Sequence, residues 1–432
     1  MSFIGIDIGG TFLKGAILDS TKSTLGNVIR RPGTDLNLDV NGQATLDPIQ
    51  LVDSVRQLCS DLISRTSNCE GILLTGQMHG CILTDSLGHP TTPIITWRDS
   101  LKALSGNEYV RPSDLIRTKL SQEQINDLGN ELRDGLPIST LTARKTRGAN
   151  FTNETVHSLI SFVAYQLTNR AKRPVMHSTD AAAHGLFNIK NMGWDLEVIR
   201  ALELEQFNFL EVTSNISPVG ISDEFVCPVF VAVGDQQASL LGAGLKMNEI
   251  SLNIATGSQV SRISNGYVEG TQTRPYFHGQ LLTTVTHIPA GRALNVLLSL
   301  VTELSDISND DAWVMISKLA EEDNSAPLSL DLSFFPSITG DRGNIKDIFE
   351  TNLTVGNLFS SVSKQMTDIY AEYALLLNGL VEPESIVLSG GLVSRFKPLA
   401  TQIRKRFTQA TIREYEGEDA SLGGLLQIAT SM

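Results

Sequence analysis

Asp7-Ile8-Gly9-Gly10-Thr11-Phe12-Leu13-Lys14 is the stretch on which the reading of the whole chain turns. Apolar residues run from Phe3 to Asp7 and again from Leu13 to Asp19, which predicts two short strands joined by a turn at Gly9 and Gly10. Glycines lack a Cβ, so backbone amides at such a turn can approach a phosphate, and Thr11 and Lys14 add donors. A carboxylate at a strand end suits Mg²⁺, which keeps most of its waters and takes one or two carboxylates, so Asp7 is the candidate metal residue. An ordinary hairpin turn with a structural aspartate explains the segment equally well. No GxxxxGK[ST] phosphate loop occurs in the chain.

Outward from this turn the same grammar recurs. Leu46 to Ser64 has helical spacing, and Gly71 to Thr75 is a buried strand that ends in Gly76-Gln77-Met78-His79-Gly80. Helices are predicted over Leu115 to Leu128, Val156 to Leu167 and Leu196 to Leu204, and Pro228 to Val233 reads as a strand opening into Gly234-Asp235-Gln236-Gln237. A domain boundary is placed just beyond it, giving 1–245 and 246–432. The second half is expected to carry a similar hairpin: strands Ile250 to Ala255 and Gln259 to Ile263 flank Thr256-Gly257-Ser258. Leu281 to Ile288 is a strand, and Leu294 to Leu304, Leu358 to Leu377 and Lys397 to Phe407 are helices. Ser385 to Leu388 is a strand that runs into Gly390-Gly391. Identity between the halves is too weak to define a repeat.

At 432 residues and 41% hydrophobic, the chain is too long for one core, so two large domains are expected. The formal charge of −13, with basic residues scattered apart from Arg395 to Arg406, argues against nucleic acid or an anionic membrane as partner. Cys59, Cys69, Cys81 and Cys227 form no CxxC pair and are expected to be reduced core thiols rather than zinc ligands or disulfides. With no signal-like start and no long apolar run, a cytoplasmic protein is expected.

Individual residues then acquire candidate roles. Asp235, where a buried strand opens, is the candidate base that orients a hydroxyl and accepts its proton; a helix N-cap is the plainer reading. Gln77, Met78 and His79 offer an amide, a thioether face and an imidazole, a mixture that suits a polyol with one apolar edge, although a lone histidine is more often structural. Trp97 could stack on a sugar face and Asp99 accept its hydroxyls, or the pair could be a buried Trp beside an ion pair. Gly390, Gly391, Ser394 and Arg395 lie between a strand and a helix, where bare backbone and a helix N-terminus meet a nucleotide.

Taken in order, Asp-Ile-Gly-Gly-Thr-x-x-Lys, Gly-Gln-Met-His-Gly, Trp-x-Asp, Gly-Asp-Gln-Gln, Ala-Thr-Gly-Ser and Ser-Gly-Gly resemble the motifs of the FGGY carbohydrate kinases across essentially the whole chain. The resemblance implies an α/β fold of two ribonuclease-H-like, actin-like ATPase lobes with an active-site cleft between them, closing on sugar and ATP. It implies a sugar-binding lobe over 1–245 and a nucleotide-binding lobe over 246–432. It further implies Asp235 as base, Gln77, Met78, His79, Trp97, Asp99 and Gln236 on the sugar, and Asp7 organising Mg²⁺. Thr11, Lys14, Thr256, Gly257, Ser258, Gly291, Gly390, Gly391, Ser394 and Arg395 would line the nucleotide.

The Gln-Met-His run is similar to xylulose and heptulose kinases, and three looser matches, Met176 to Asn188, Gly234 to Ser239 and Leu252 to Thr256, resemble sedoheptulokinase, so sedoheptulose is the first expected substrate and D-xylulose the second. Homodimers are common in that family. Two departures stand out: Trp97-Arg98-Asp99-Ser100-Leu101 replaces the usual Trp-x-Asp-Gly-Arg, and Pro289-Ala290-Gly291 replaces Asn-Gly-Gly. The different-class alternatives are a degenerate nucleotide-binding regulator on the same scaffold and a repressor-type sugar kinase, whose cysteine-rich zinc element this chain lacks.

Overall fold

The computed structural model describes residues 1–151, 153–323, 326–335 and 337–432. Two compact units emerge: the first comprises Met1–Gly244, Asn265–Leu281 and Gly417–Met432, the second Leu245–Ser264 and Leu282–Glu416.

In the first unit, β1 (Ser2–Ile8) turns back through Gly9 and Gly10 into antiparallel β2 (Phe12–Asp19). Helix α1 (Pro48–Ile63) begins where the Asp47 carboxylate accepts from the amides of Ile49 and Gln50, and Pro48 tolerates the first turn because its missing N–H would have no partner there. Its buried stripe of Leu51, Val55, Leu58 and Leu62 joins Ile4, Ile6 and Leu74 in one core. Next comes β3 (Ile72–Gly76), buried at every position and parallel to β1. Its other side takes β4 (Cys227–Phe230) and then β5 (Val233–Gly234), both parallel. The apolar run Pro228 to Val233 therefore makes two short strands: at the break, the Val231 amide turns to the Ser217 carbonyl, 3.0 Å away.

Helix α2 (Asp235–Gly242) follows directly and packs on the C-terminal helix (Ala420–Thr430), close enough that a Cβ on Gly242 would lie 1.9 Å from the Ala420 carbonyl oxygen. Two predicted helices differ in detail. Leu115 to Leu128 is two helices, Pro112–Arg117 and Gln122–Asp127, because Ser121 and Gln124 form a capping box that starts the second. Val156 belongs to a strand, Thr155–His157, and the helix begins after Ser158, which caps it with Ser161.

The second unit repeats the local plan. Strand β6 (Ile250–Ile254) pairs antiparallel with β7 (Gly257–Ser264) and parallel with β8 (Ser385–Ser389), which pairs parallel with β9 (Thr411–Glu414). A 23-residue helix, α3 (Val355–Leu377), supplies Phe359, Val362, Met366 and Tyr370 to a core shared with Trp313 and Phe396. The four cysteines are free thiols, Cys59, Cys81 and Cys227 buried and Cys69 half-buried. Among the described residues no helix is long and apolar enough to cross a membrane.

Candidate active site

The site of the first unit is built by register. Ile8 of β1 lies opposite Gly76 of β3, and Gly76 lies opposite Gly234 of β5, so three parallel strands end level. Side chains at and beyond those ends are therefore brought together: Asp7 from the first, Gln77, Met78 and His79 from the second, Asp235 and Gln236 from the third. Close approach at this edge needs bare backbone, since a Cβ on Gly76 would lie 2.7 Å from the Ile8 carbonyl oxygen and one on Gly234 2.3 Å from Met78 Sδ. His79 holds φ at 71°, a left-handed conformation that costs a non-glycine residue free energy and is typical of functional positions.

Asp235 is the first residue of α2, with Gly234 at the N-cap, and its Oδ1 accepts from the Gln236 amide at 2.7 Å. The helix-cap reading is thus replaced by a first-turn carboxylate. Desolvation and, next, the nearby Asp7 charge push its carboxyl up to about 7, against the Gln236 amide hydrogen bond, Arg274 and Lys14. Asp180, fully buried, is likewise pushed up to about 7, and Ser158 donates to it.

Asp7 accepts from Lys14 Nζ at 3.0 Å and Ser421 Oγ at 2.7 Å. Lys14 also reaches Asp419 at 2.9 Å, and Ser421 Oγ lies 2.7 Å from Asp419 Oδ1. Burial raises the Asp7 carboxyl above its ordinary value, with Lys14 opposing. For Lys14, burial opposes the charge, yet the two aspartates hold its ammonium above the usual range. Asp7 and Asp235 are thus two mutually repelling carboxylates at one sheet edge, and Asp7 Oδ2 is already engaged by Lys14 and Ser421. Thr11 is exposed in the turn.

Sequence reasoning missed Arg274, Glu131 and Asp419. Arg274, only 2% exposed, donates Nε to Glu131 and Nη1 to Gln236, and its Nη2 lies 3.5 Å from His79 Nε2. No local motif announces these residues: Arg274 and Asp419 come from Asn265–Leu281 and Gly417–Met432, which return to the first unit, and Glu131 from the loop before Gly135 within its main stretch.

The Asp99 side chain is buried and held by Arg144, with Nη1 at 3.0 Å and Nη2 at 3.2 Å, the ion pair that was the plainer reading of this segment. Arg144 brings a guanidinium to Asp99 in a chain that lacks the usual Arg after Trp-x-Asp-Gly. Trp97 is 39% exposed, with Arg98 over its ring at 5.2 Å.

In the second unit the strand ends carry almost no charge. Gly291 N donates to Ala255 O at 3.0 Å and Arg292 N to Thr256 O at 2.8 Å, which seats Gly291 against the turn after β6. Gly390 has φ of 96°, and a Cβ on it would lie 2.3 Å from the Ile254 carbonyl oxygen. Thr256, Gly257, Gly291, Gly390 and Gly391 are thus gathered around one strand end. The Ser258 Oγ is buried and lies 2.6 Å from the Tyr370 hydroxyl. Arg395 is similarly engaged, paired with Asp310 and stacked on Trp313 at 5.7 Å, while Ser394 Oγ donates to the Gly391 carbonyl at 3.2 Å.

Comparison with known proteins follows the same lines. A model of the N-terminal domain of the FGGY family of carbohydrate kinases matches residues 2–242. Curated relatives include a xylulose kinase of Staphylococcus xylosus, 22% identical over 47% of this chain and 40% of that one. A glycerol kinase of Aquifex aeolicus is 23% identical over 67% of this chain and 58% of its own. The chain spans about half the length of the curated relatives it matches. Among solved structures, a xylulose kinase of Lactobacillus acidophilus superposes with a TM-score of 0.83 at 17% identity, covering 99% of this chain and 88% of that one. A gluconate kinase of the same organism gives 0.81 at 16% identity, covering 99% and 89%. The expected actin-like, ribonuclease-H-like α/β fold is therefore present.

Proposed function

Because this chain belongs to the FGGY family of carbohydrate kinases, we propose that it transfers the γ-phosphoryl group of ATP to the terminal primary hydroxyl of a ketose, with Asp235 as base. The observation that carries the reading is the half-buried Asp235 carboxyl, level with Asp7 and the Gln77 to His79 run at three parallel strand ends and raised to about 7. A base with this affinity is ionised near neutrality yet still binds a proton appreciably, the compromise that general base catalysis favours. Asp235 would orient the hydroxyl and take its proton late, while Gln77, His79 and Gln236 hold the other hydroxyls and Met78 covers an apolar edge. Bound at Asp7, Mg²⁺ would neutralise phosphate charge. Lys14 adds a fixed cation beside Asp7 for the same phosphates. The small-residue turns of the second unit are assigned to ATP, whose phosphates and ribose can approach bare backbone.

Between candidate sugars, D-xylulose is placed before sedoheptulose. The Met176 to Asn188 run that suggested a heptulose is buried throughout, so its likeness reflects packing more than sugar choice. Relatives named xylulose kinase favour the pentulose. Sugar-dependent ADP release across ketoses, polyols and aldoses tests the proposal: D-xylulose or sedoheptulose should give the highest kcat/KM. ATP hydrolysis indifferent to every sugar would instead support the degenerate-regulator reading.

A further inference from the structure

Arg274 stands out among the buried charges because it sits at the edge of this site. A buried ion pair is a weak source of stability, since desolvation offsets much of the attraction and apolar replacements are often as stable. Its guanidinium serves three groups at once: Glu131, whose side chain is fully buried, then Gln236 and His79. Backbone on both sides is clamped. Thr273 N donates to Gly129 O at 2.9 Å, Asn130 Nδ2 to Thr271 O at 3.1 Å, and Gln237 Nε2 to Pro275 O at 3.3 Å. A guanidinium only donates. Gln236 therefore turns its Oε1 toward Arg274, and His79 Nε2 accepts, which leaves the imidazole proton on Nδ1.

We propose that Arg274 is a positioning residue of the sugar side, fixing the amide orientation of Gln236 and the tautomer of His79 so that one face of the substrate is presented to Asp235. The inference rests on the kinase reading above. Arg274 also acts on Asp235 as a charge, alongside Lys14 with the same sign and Asp7 and Asp180 with the opposite one.

The test compares wild type, Arg274→Met and Arg274→Lys on the best sugar of the panel, measuring KM for sugar and ATP, and kcat/KM against pH. Arg274→Met should raise the sugar KM at least about tenfold and leave the ATP KM within about twofold, the scale expected for hydrogen bonds to a charged group. Its acid limb should move to higher pH, because a cation that favours ionised Asp235 is gone. Arg274→Lys should restore the limb yet keep the raised sugar KM, since an ammonium cannot hold all three partners in one plane. Variants that lose thermal stability while sugar KM and acid limb stay at wild-type values overturn the proposal, as does full rescue by lysine. If Arg274→Met does not fold, Glu131→Gln, which loosens the anchor, decides on the same readings: a raised sugar KM supports the role, and unchanged values refute it. A wild type that phosphorylates no sugar sinks both the kinase reading and this inference. An active wild type with indifferent variants sinks the inference alone.

Discussion

The two units end their strands in opposite chemistry on one local plan. Each has a strand paired antiparallel with its hairpin partner and parallel with a later strand: β1 with β2 and β3, β6 with β7 and β8. The first unit places carboxylates, a lysine, an amide and an imidazole at those ends, whereas the second places glycines, threonine and carbonyls, with Ser258 turned to the core and Arg395 engaged by Asp310. The scaffold therefore fixes where backbone opens, and side chains decide whether that opening handles protons and charge or accommodates a ligand's shape.

The comparison breaks most readily on the charged side. Asp7→Asn should lower turnover at least about tenfold through weakened metal and phosphate handling. It should also move the acid limb of kcat/KM to lower pH, because Asp7 raises the Asp235 carboxyl and only ionised Asp235 accepts a proton. A limb that stays in place would separate the two aspartates. On the backbone side, Gly390→Ala meets both a positive φ and the Ile254 carbonyl, so a loss of about 1–3 kcal/mol in denaturant unfolding is expected, with a raised ATP KM.

Asp235→Asn should stabilise the protein while disabling it. An aspartate whose folded affinity is raised from 3.8 to about 7 costs nothing below pH 4, and the cost grows as pH rises toward 7. The amide should thus gain on the order of 4 kcal/mol at pH 8 and almost nothing at pH 4. Equal melting temperatures at both pH values would contradict the raised affinity. The smallest effect is expected at Ser258→Ala, which leaves the buried Tyr370 hydroxyl without this partner: a loss of about 1 kcal/mol with ATP KM unchanged. A large ATP KM change there would return the hydroxyl to the nucleotide.

Much of the frame was legible because buried strands announce themselves as apolar runs that stop at glycine or a polar group. Asp7, the Gln77 to His79 run and Asp235 are picked out as candidates on that ground alone, since a strand end is a local event. Arg274 and Asp419 are not, because they sit on segments distant in sequence that return to the first unit, and Glu131 is not, because its only signal is the Arg274 that reaches it from 143 positions later. Asp99 shows the converse. Its neighbours match a motif, but its charge is consumed by Arg144, which lies 45 positions later. The broken helix over Leu115 to Leu128 has a local cause that apolar spacing obscures, since Leu115, Ile116, Leu120 and Ile125 keep a helical rhythm across the Ser121 cap.

Asp235 as the proton acceptor is the role on which the proposed chemistry depends. Single-turnover phosphorylation of the preferred sugar by Asp235→Asn, with sugar affinity measured separately by calorimetry, tests this most directly. The chemical step should slow by at least about a hundredfold while the sugar Kd stays within a few-fold of wild type. A near-normal chemical step in the asparagine variant would contradict it.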